Sequence, residues 1–305
     1  MNSESLPGTG RVVAMLGLGI MGAAMARRLA ALGFSVRGWN RSPDKVVGLL
    51  AHGVRLFPTP AQAAEDADVV ALCLTDATAV EAVVFGPGGA VSRLDIRAPI
   101  VDFSTIGVEA AKTMAARLAD EHGARWIDAP VSGGPAAAEA GTLAVLCGGE
   151  AGAIADAKLV LEALSRVHTH LGPSGAGQAA KLCNQLIVSS AMMAIAEAVS
   201  AGRALGLDVA ALPAALAGGY ADSLPLQIFG PRMAAGACEP RISEVATMLK
   251  DVRALHAALD GSGVNLRLAR ATLALYEDAA QRGLAHQDLA ILPQLSAAPS
   301  VTTTH

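Results

Sequence analysis

"RVVAMLGLGIMG", residues 11–22, decides the fold. Its first half is an apolar run of strand length. Its second half sets Gly17, Gly19 and Gly22 in the spacing GxGxxG, directly before an Ala-rich helical pattern that reaches about Leu32. A strand that turns tightly at Gly17, admits a pyrophosphate to the backbone at Gly19 and packs helix on strand at Gly22 opens a dinucleotide-binding βαβ unit. Leu18, Ile20 and Met21 lie inside the loop and join the glycines as cofactor-binding candidates. The competing reading is a Gly-rich turn with a structural purpose only; the flanking strand and helix favour the nucleotide.

The chain next reads "FSVRGW" and then "GWNRSPDK", residues 38–45. An NAD-binding unit commonly places an acidic residue here, to accept from the ribose 2′-hydroxyl and repel a 2′-phosphate. Asn40 removes that repulsion, Arg41 offers a fork of charged donors, and Ser42 offers another hydroxyl. NADP is therefore expected over NAD, with NAD possible if Arg41 is only a solvated loop charge.

Outward from this unit the pattern repeats. A helix is expected across Asp44 to Ala51 and another from near Ala79; "DVVALCL", "PIVDFS", "RWIDAP", "TLAVLC" and "VHTHLG" read as further strands. Apolar strand-length runs alternating with helices imply an α/β fold, a doubly wound, mostly parallel Rossmann-type sheet covered on both faces. After about Gly172 the strands stop, and helix follows helix with breaks at "LGLD", "AGGYADSLP", "GACEPR" and "DGSG". The expected organisation is a flexible N-terminus over 1–10, a cofactor domain over 11–172, an all-α domain over 173–295 and a flexible tail over 296–305. A long interdomain helix from about Gly175 to Leu205 would run roughly 45 Å. It is apolar on most faces, so burial between domains or subunits is expected.

Composition narrows the partners. The 305 residues are 52% hydrophobic and only 3% aromatic, and the net charge is −4 with a pI near 6.0. Neither nucleic acid nor an anionic membrane surface is favoured. Cys73, Cys147, Cys183 and Cys238 are too dispersed for a metal cluster, so reduced, buried thiols in a cytoplasmic protein are expected. The N-terminus lacks the pattern of a secretory signal, and no apolar stretch is uninterrupted enough to be assigned as a membrane span.

Polar residues collect at expected strand ends, where ligands of open parallel sheets sit. Ser104 and Thr105 follow "PIVDF", and Ser132, Gly133 and Gly134 close "DAPVSGG"; Leu74 and Thr75, after "DVVALC", are further cofactor-binding candidates. A Gly-Gly turn beside a serine makes a small anion nest suited to a carboxylate. On the long helix, "GQAAKLCNQLIV" sets Lys181 and Asn184 about one turn apart on one face. A lysine there is either a snorkelling surface residue or an ammonium placed for chemistry. His168 and His170 read as ordinary strand residues, and Cys183 and Glu197 as packing or hydrogen-bonding residues of the helix.

"GLGIMG", "DAPVSGG", "GAGQAAKLCNQ" and "MLKDV" occur together in the order and spacing of the β-hydroxyacid dehydrogenase family, which includes 3-hydroxyisobutyrate dehydrogenase and tartronate semialdehyde reductase. The resemblance covers residues 11 to about 292. It implies an NAD(P)-dependent enzyme acting on a small β-hydroxy acid or semialdehyde, with Ser132, Gly133 and Gly134 holding the carboxylate. It further implies that Lys181 is the general acid or base, that Asn184 orients the substrate, that Lys250 reaches toward the cofactor, and that Thr105 lies on the nicotinamide side. Relatives are dimers or tetramers through the helical half, so a homo-oligomer is expected. Where many relatives carry two asparagines, this chain reads Asn184-Gln185, a pair also found in reductases of the tartronate type. Residues 217–233 are expected to help line the substrate pocket.

The chemistry agrees with those roles. Hydride arriving at an aldehyde carbon leaves charge on oxygen, which an ammonium stabilises and then protonates. Alcohol oxidation needs the lysine neutral, so burial or a neighbouring cation such as Lys250 is expected to lower its pKa. Two alternatives share the fold: an NADPH-dependent imine reductase, which generally lacks the lysine and the "DAPVSGG" turn, and a non-catalytic NADP-binding protein.

Overall fold

The computed structural model describes residues 7–296. The expected flexible ends therefore lie, for residues 1–6 and 297–305, outside the described residues. Residues 7–10 do not behave as a loose end: they form a turn in which the Gly8 N–H donates to the Leu32 carbonyl.

In chain order the first unit holds β1 (Val12–Leu16), α1 (Ile20–Ala31), β2 (Ser35–Trp39), β3 (Arg55–Leu56), α2 (Pro60–Ala64), β4 (Val69–Leu72), α3 (Ala77–Phe85), β5 (Ile100–Asp102), α4 (Val108–His122) and β6 (Trp126–Asp128). It continues through β7 (Val131–Ser132), α5 (Gly134–Ala140), β8 (Leu143–Gly149), α6 (Ala151–Asp156), α7 (Lys158–Leu164) and β9 (Ser165–Gly172). The strand order β3-β2-β1-β4-β5-β6 is parallel throughout, the doubly wound order with its reversal between β1 and β4. Two features depart from expectation. β8 runs antiparallel to β6 and, in the same register along the same edge, to the unexpected short β7, while β9 pairs parallel with β8 on its other edge. Residues Pro43–His52 form a 3-10 helix in place of the expected ordinary helix; the segment is short, begins on proline and contains Gly48.

β1 shows why the sheet is covered twice. Val13 and Met15 point into a cluster with Met25 and Leu29 of α1, while Ala14 and Leu16 point into another with Val80, Val84 and Leu118. Each strand residue is apolar because each face meets a helix.

A 29-residue helix, α8 (Ala176–Ala204), follows. The chain divides within it, at Lys181/Leu182, into two compact units. The second unit contains the rest of α8 with α9 (Leu212–Leu216), α10 (Leu224–Ala235), α11 (Val245–Ala258) and α12 (Arg267–Gln281). Met192, Val199, Phe229, Met233, Val252 and the fully buried Tyr276 are among its core residues.

By length and composition α8 is apolar enough to cross a membrane, which the sequence analysis did not anticipate, but 44% of its most apolar window is buried in protein. It also carries buried Gln178, Gln185 and Ser189. These make it a core helix, and its burial is one-sided: Ala179, Cys183, Ile187, Ala194, Glu197 and Ala198 are exposed. Cys183 and Glu197 are thus largely exposed, and of the four thiols expected to be buried only Cys147 is, with Cys73 and Cys238 partly buried and Cys183 exposed.

Candidate active site

The glycine loop between β1 and α1 fits a dinucleotide for reasons that can be read one glycine at a time. Gly17 has φ +96°, and a Cβ there would overlap the Cys73 carbonyl. A Cβ at Gly22 would collide with the Gly17 carbonyl oxygen, so this position lets α1 lie against the turn. A Cβ at Gly19 would meet nothing within 4 Å: the backbone is open to an approaching ligand there. No side chain caps the start of α1, and its first turn carries no acidic residue, leaving the N–H groups and the helix dipole for an anion.

Asn40 has a task its position alone did not suggest. Its Oδ1 accepts from the Leu18 N–H at 3.1 Å, and its Nδ2 donates to the Ser42 carbonyl at 3.0 Å. The amide braces the glycine loop against the end of β2. A cavity of about 480 Å³ opens beside this brace, lined by Leu18, Gly19, Ile20 and Asn40 together with Arg27, Lys45 and His52. Arg41 is exposed and is not among the lining residues; Lys45, four residues on in the same "NRSPDK" stretch, is.

At the ends of β5 and β6 the start of α8 is docked with little freedom. Asp128 accepts from the Gly175 N–H (2.7 Å) and the Gln178 N–H (2.9 Å). A Cβ at Gly177 would overlap the Leu146 and Asp128 carbonyls, which explains a glycine in the first turn of the helix. Gln178, only 1% exposed, donates to the Ser104 carbonyl and accepts from the Ile106 and Gly107 N–H groups. It thereby clamps the turn that carries Thr105 from both sides. Ser104 is a brace too: its hydroxyl accepts from the Leu74 N–H at 2.9 Å. Thr75 is exposed and bonded to Asp76.

Two carboxyls lie under this region. Burial pushes Asp102 up to about 7, against lowering by its Ser104 hydrogen bonds and with the Asp128 charge adding to the rise; its Oδ2 is buried without a hydrogen-bond partner. Burial also raises Asp128, against the backbone donors it accepts from.

One contact joins the expected catalytic pieces of the first unit. Lys181 Nζ donates to the Val131 carbonyl at 3.0 Å, the residue immediately before Ser132. Gly133 (φ +133°) and Gly134 (φ +74°) then turn through backbone conformations that side chains disfavour. The ammonium is thus set beside the Ser-Gly-Gly turn, half-buried and directed inward from the helix.

The second unit gathers its own polar set. Asn184 Nδ2 donates to Gln185 Oε1 at 2.9 Å, the Gln185 amide nitrogen donates to Asp251, and Lys250 Nζ lies 3.6 Å from Asp251 Oδ1. Lys250 itself is 62% exposed. Of residues 217–233, the start of α10 is capped by Ser223, and Tyr220 is fully exposed.

Asp128, Gln178 and Asp251 were missed as functional residues by sequence reasoning, although all three stand inside the quoted motifs. His168 and His170 lie on β9, where His170 Nε2 meets the Gly149 and Gly172 carbonyls. Among the described residues no group of three or more His, Cys, Asp or Glu is placed to hold a metal.

Comparison with known proteins points the same way. Residues 12–172 match the family described as the NAD binding domain of 6-phosphogluconate dehydrogenase, and residues 175–295 that described as NAD-binding of NADP-dependent 3-hydroxyisobutyrate dehydrogenase. Escherichia coli 2-hydroxy-3-oxopropionate reductase is 32% identical over 92% of this chain and 94% of its own. The structure of Mycobacterium tuberculosis 3-hydroxyisobutyrate dehydrogenase with L-serine superposes with a TM-score of 0.83 at 32% identity, covering 94% of this chain and 99% of that one. A Pseudomonas imine reductase covers 94% of this chain and 99% of its own with a TM-score of 0.61 at 23% identity, a likeness of fold alone.

Proposed function

The chain belongs to the β-hydroxyacid dehydrogenase family of NAD(P)-dependent oxidoreductases, and from that premise we propose that it interconverts a small 3-hydroxy acid and its semialdehyde, with Lys181 as general acid and base. The candidates are acids of the 3-hydroxyisobutyrate and 2-hydroxy-3-oxopropionate type. The observation that carries the reading is the Lys181 ammonium on the Val131 carbonyl, one residue from Ser132.

A nicotinamide, when bound, supplies or accepts the hydride; the remaining tasks fall to this chain. The Ser132 hydroxyl and the backbone N–H groups of Gly133 and Gly134 hold the carboxylate. Lys181 stabilises the charge that develops on the reacting oxygen and delivers a proton to it; in oxidation it removes that proton. The Val131 carbonyl keeps the ammonium in place, so less reorganisation is needed as charge develops. Asn184, one turn further along α8, orients the substrate.

Gly17, Leu18, Gly19, Ile20, Met21 and Gly22 would receive the pyrophosphate, with Leu74, Thr75 and Thr105 on the nicotinamide side and Lys250 reaching toward the cofactor. NADP is the preferred cofactor: Asn40 brings no charge to repel a 2′-phosphate, Arg41 and Ser42 follow it, and Lys45 adds a cation at the neighbouring cavity. The division of labour is a cofactor domain over 11–172 and a substrate and oligomerisation domain over 173–295. The exposed apolar positions of α8, Ile187 at 69% above all, favour a homodimer or homotetramer.

The test is a panel of 3-hydroxyisobutyrate, glycerate, serine and the corresponding semialdehydes, with a cyclic imine as control, followed at the nicotinamide absorbance with NADP(H) and NAD(H). Turnover of the acids or semialdehydes, faster with the phosphorylated cofactor, is expected. Turnover of the imine alone would reassign the chain as an imine reductase. Cofactor binding without turnover of any compound would make it a non-catalytic binder.

A further inference from the structure

Asn184, Gln185 and Asp251 form a relay whose polarity is fixed by charge. Asp251 is 7% exposed and stands beside the Lys250 ammonium, 3.6 Å away. A carboxylate only accepts hydrogen bonds, so the Gln185 amide must turn its nitrogen toward Asp251. The Gln185 oxygen then faces Asn184, whose nitrogen must donate to it, as it does at 2.9 Å. Gln185 is 6% exposed, so water offers it little escape from this arrangement. Neither amide can flip without setting oxygen against oxygen or nitrogen against nitrogen. The consequence is at the outer end: with one N–H committed to Gln185, Asn184 presents its carbonyl Oδ1 and its second N–H, so that it can accept as well as donate.

An oxygen held in that way selects its ligand. On a three-carbon 3-hydroxy acid the C1 carboxylate offers only acceptors. The C3 oxygen accepts hydrogen bonds as the aldehyde, gives its one proton to Lys181 as the alcohol, and gathers negative charge during transfer, so an amide oxygen set against it is repulsive. C2 is the remaining position at which a substrate can offer a donor.

We propose that Gln185 and Asp251 are positioning residues that hold the Asn184 oxygen outward, making the enzyme selective for 3-hydroxy acids with a hydroxyl or ammonium on C2 over those with an alkyl group there. This rests on the proposed function, in which Asn184 meets the substrate. It also gives the Asn184-Gln185 pair a physical purpose: the longer side chain at 185 spans from Asn184 to the buried carboxylate.

The experiment compares kcat and KM for glycerate and serine with those for 3-hydroxyisobutyrate, which share a skeleton and differ at C2. Wild type is expected to favour a donor-bearing acid in kcat/KM. Gln185→Met keeps the length and removes the relay; the preference should fall roughly tenfold, mainly through KM of the donor-bearing acid, with kcat for 3-hydroxyisobutyrate little changed. Asp251→Asn supplies a second route. With Lys250 favouring the new amide's oxygen, its nitrogen faces Gln185 and both amides turn round, so the preference should also fall.

A wild type that prefers the methyl compound, or folded variants with an unchanged ratio, would overturn the inference. Lys181→Met run in parallel separates the layers. If it abolishes turnover of all three acids while the ratio stays fixed in the relay variants, the specificity assignment fails and the proposed function stands; if it leaves turnover intact, the proposed function fails first.

Discussion

The glycine loop of the first unit and the Asn184–Gln185–Asp251 relay of the second are each held in one arrangement, by opposite means. In the loop the constraint is backbone sterics: Gly17 and Gly22 have no room for a Cβ, and Gly19 has nothing near it. In the relay it is donor and acceptor sign, passed from a buried carboxylate through two amides. A steric constraint restricts the residue type at its own position, so it shows in the sequence as spacing. A hydrogen-bond sign depends on partners 66 residues apart, as between Gln185 and Asp251, and no local pattern reveals it.

The same distinction explains what could be read beforehand. A common site for Lys181 and the "DAPVSGG" turn is implied by the family resemblance alone, whereas the doubly wound, mostly parallel sheet and the helix at Ala176–Ala204 follow from apolar periodicity and glycine spacing. The reversal at β8, the bracing use of Asn40 and Ser104, and the clamp at Gln178 do not, because each depends on which backbone groups the folded chain leaves without partners. Gln178 stands three residues before Lys181, and a glutamine in an apolar, buried helix start implies a partner.

Breaking the steric constraint should have the largest effect on stability. Gly22→Ala drives a methyl into the Gly17 carbonyl and is expected to cost about 3 kcal/mol, seen as a lowered urea midpoint. Unchanged stability would mean that α1 and the turn are not locked as described.

Asp102 comes next and is a question of pH. Its carboxyl stands near 7 in the fold against about 3.9 unfolded. Between those values the native state retains a proton that the unfolded chain has lost, so stability declines as pH rises, by at most about 1.4 kcal/mol per pH unit, and the penalty is complete above the folded value. Asp102→Asn removes this slope. Urea titrations at pH 5, 6 and 7 should show the variant gaining on wild type at each step, whereas parallel curves would contradict the burial argument.

The smallest change in stability is expected at Gly19→Ala, within about 0.5 kcal/mol of wild type because the added methyl meets open space. The same variant should bind NADPH roughly tenfold more weakly, since that space is where the pyrophosphate would lie. Gly19 thus separates ligand room from packing, where Gly22 cannot.

The most direct test of the whole account is kcat for Lys181→Met on a substrate identified in the acid panel, with NADPH affinity measured on the same preparation by fluorescence titration. A loss of about 10³-fold or more in kcat is expected, with cofactor affinity unchanged. Turnover near the wild-type rate would show that the ammonium beside Ser132 takes no part in the chemistry.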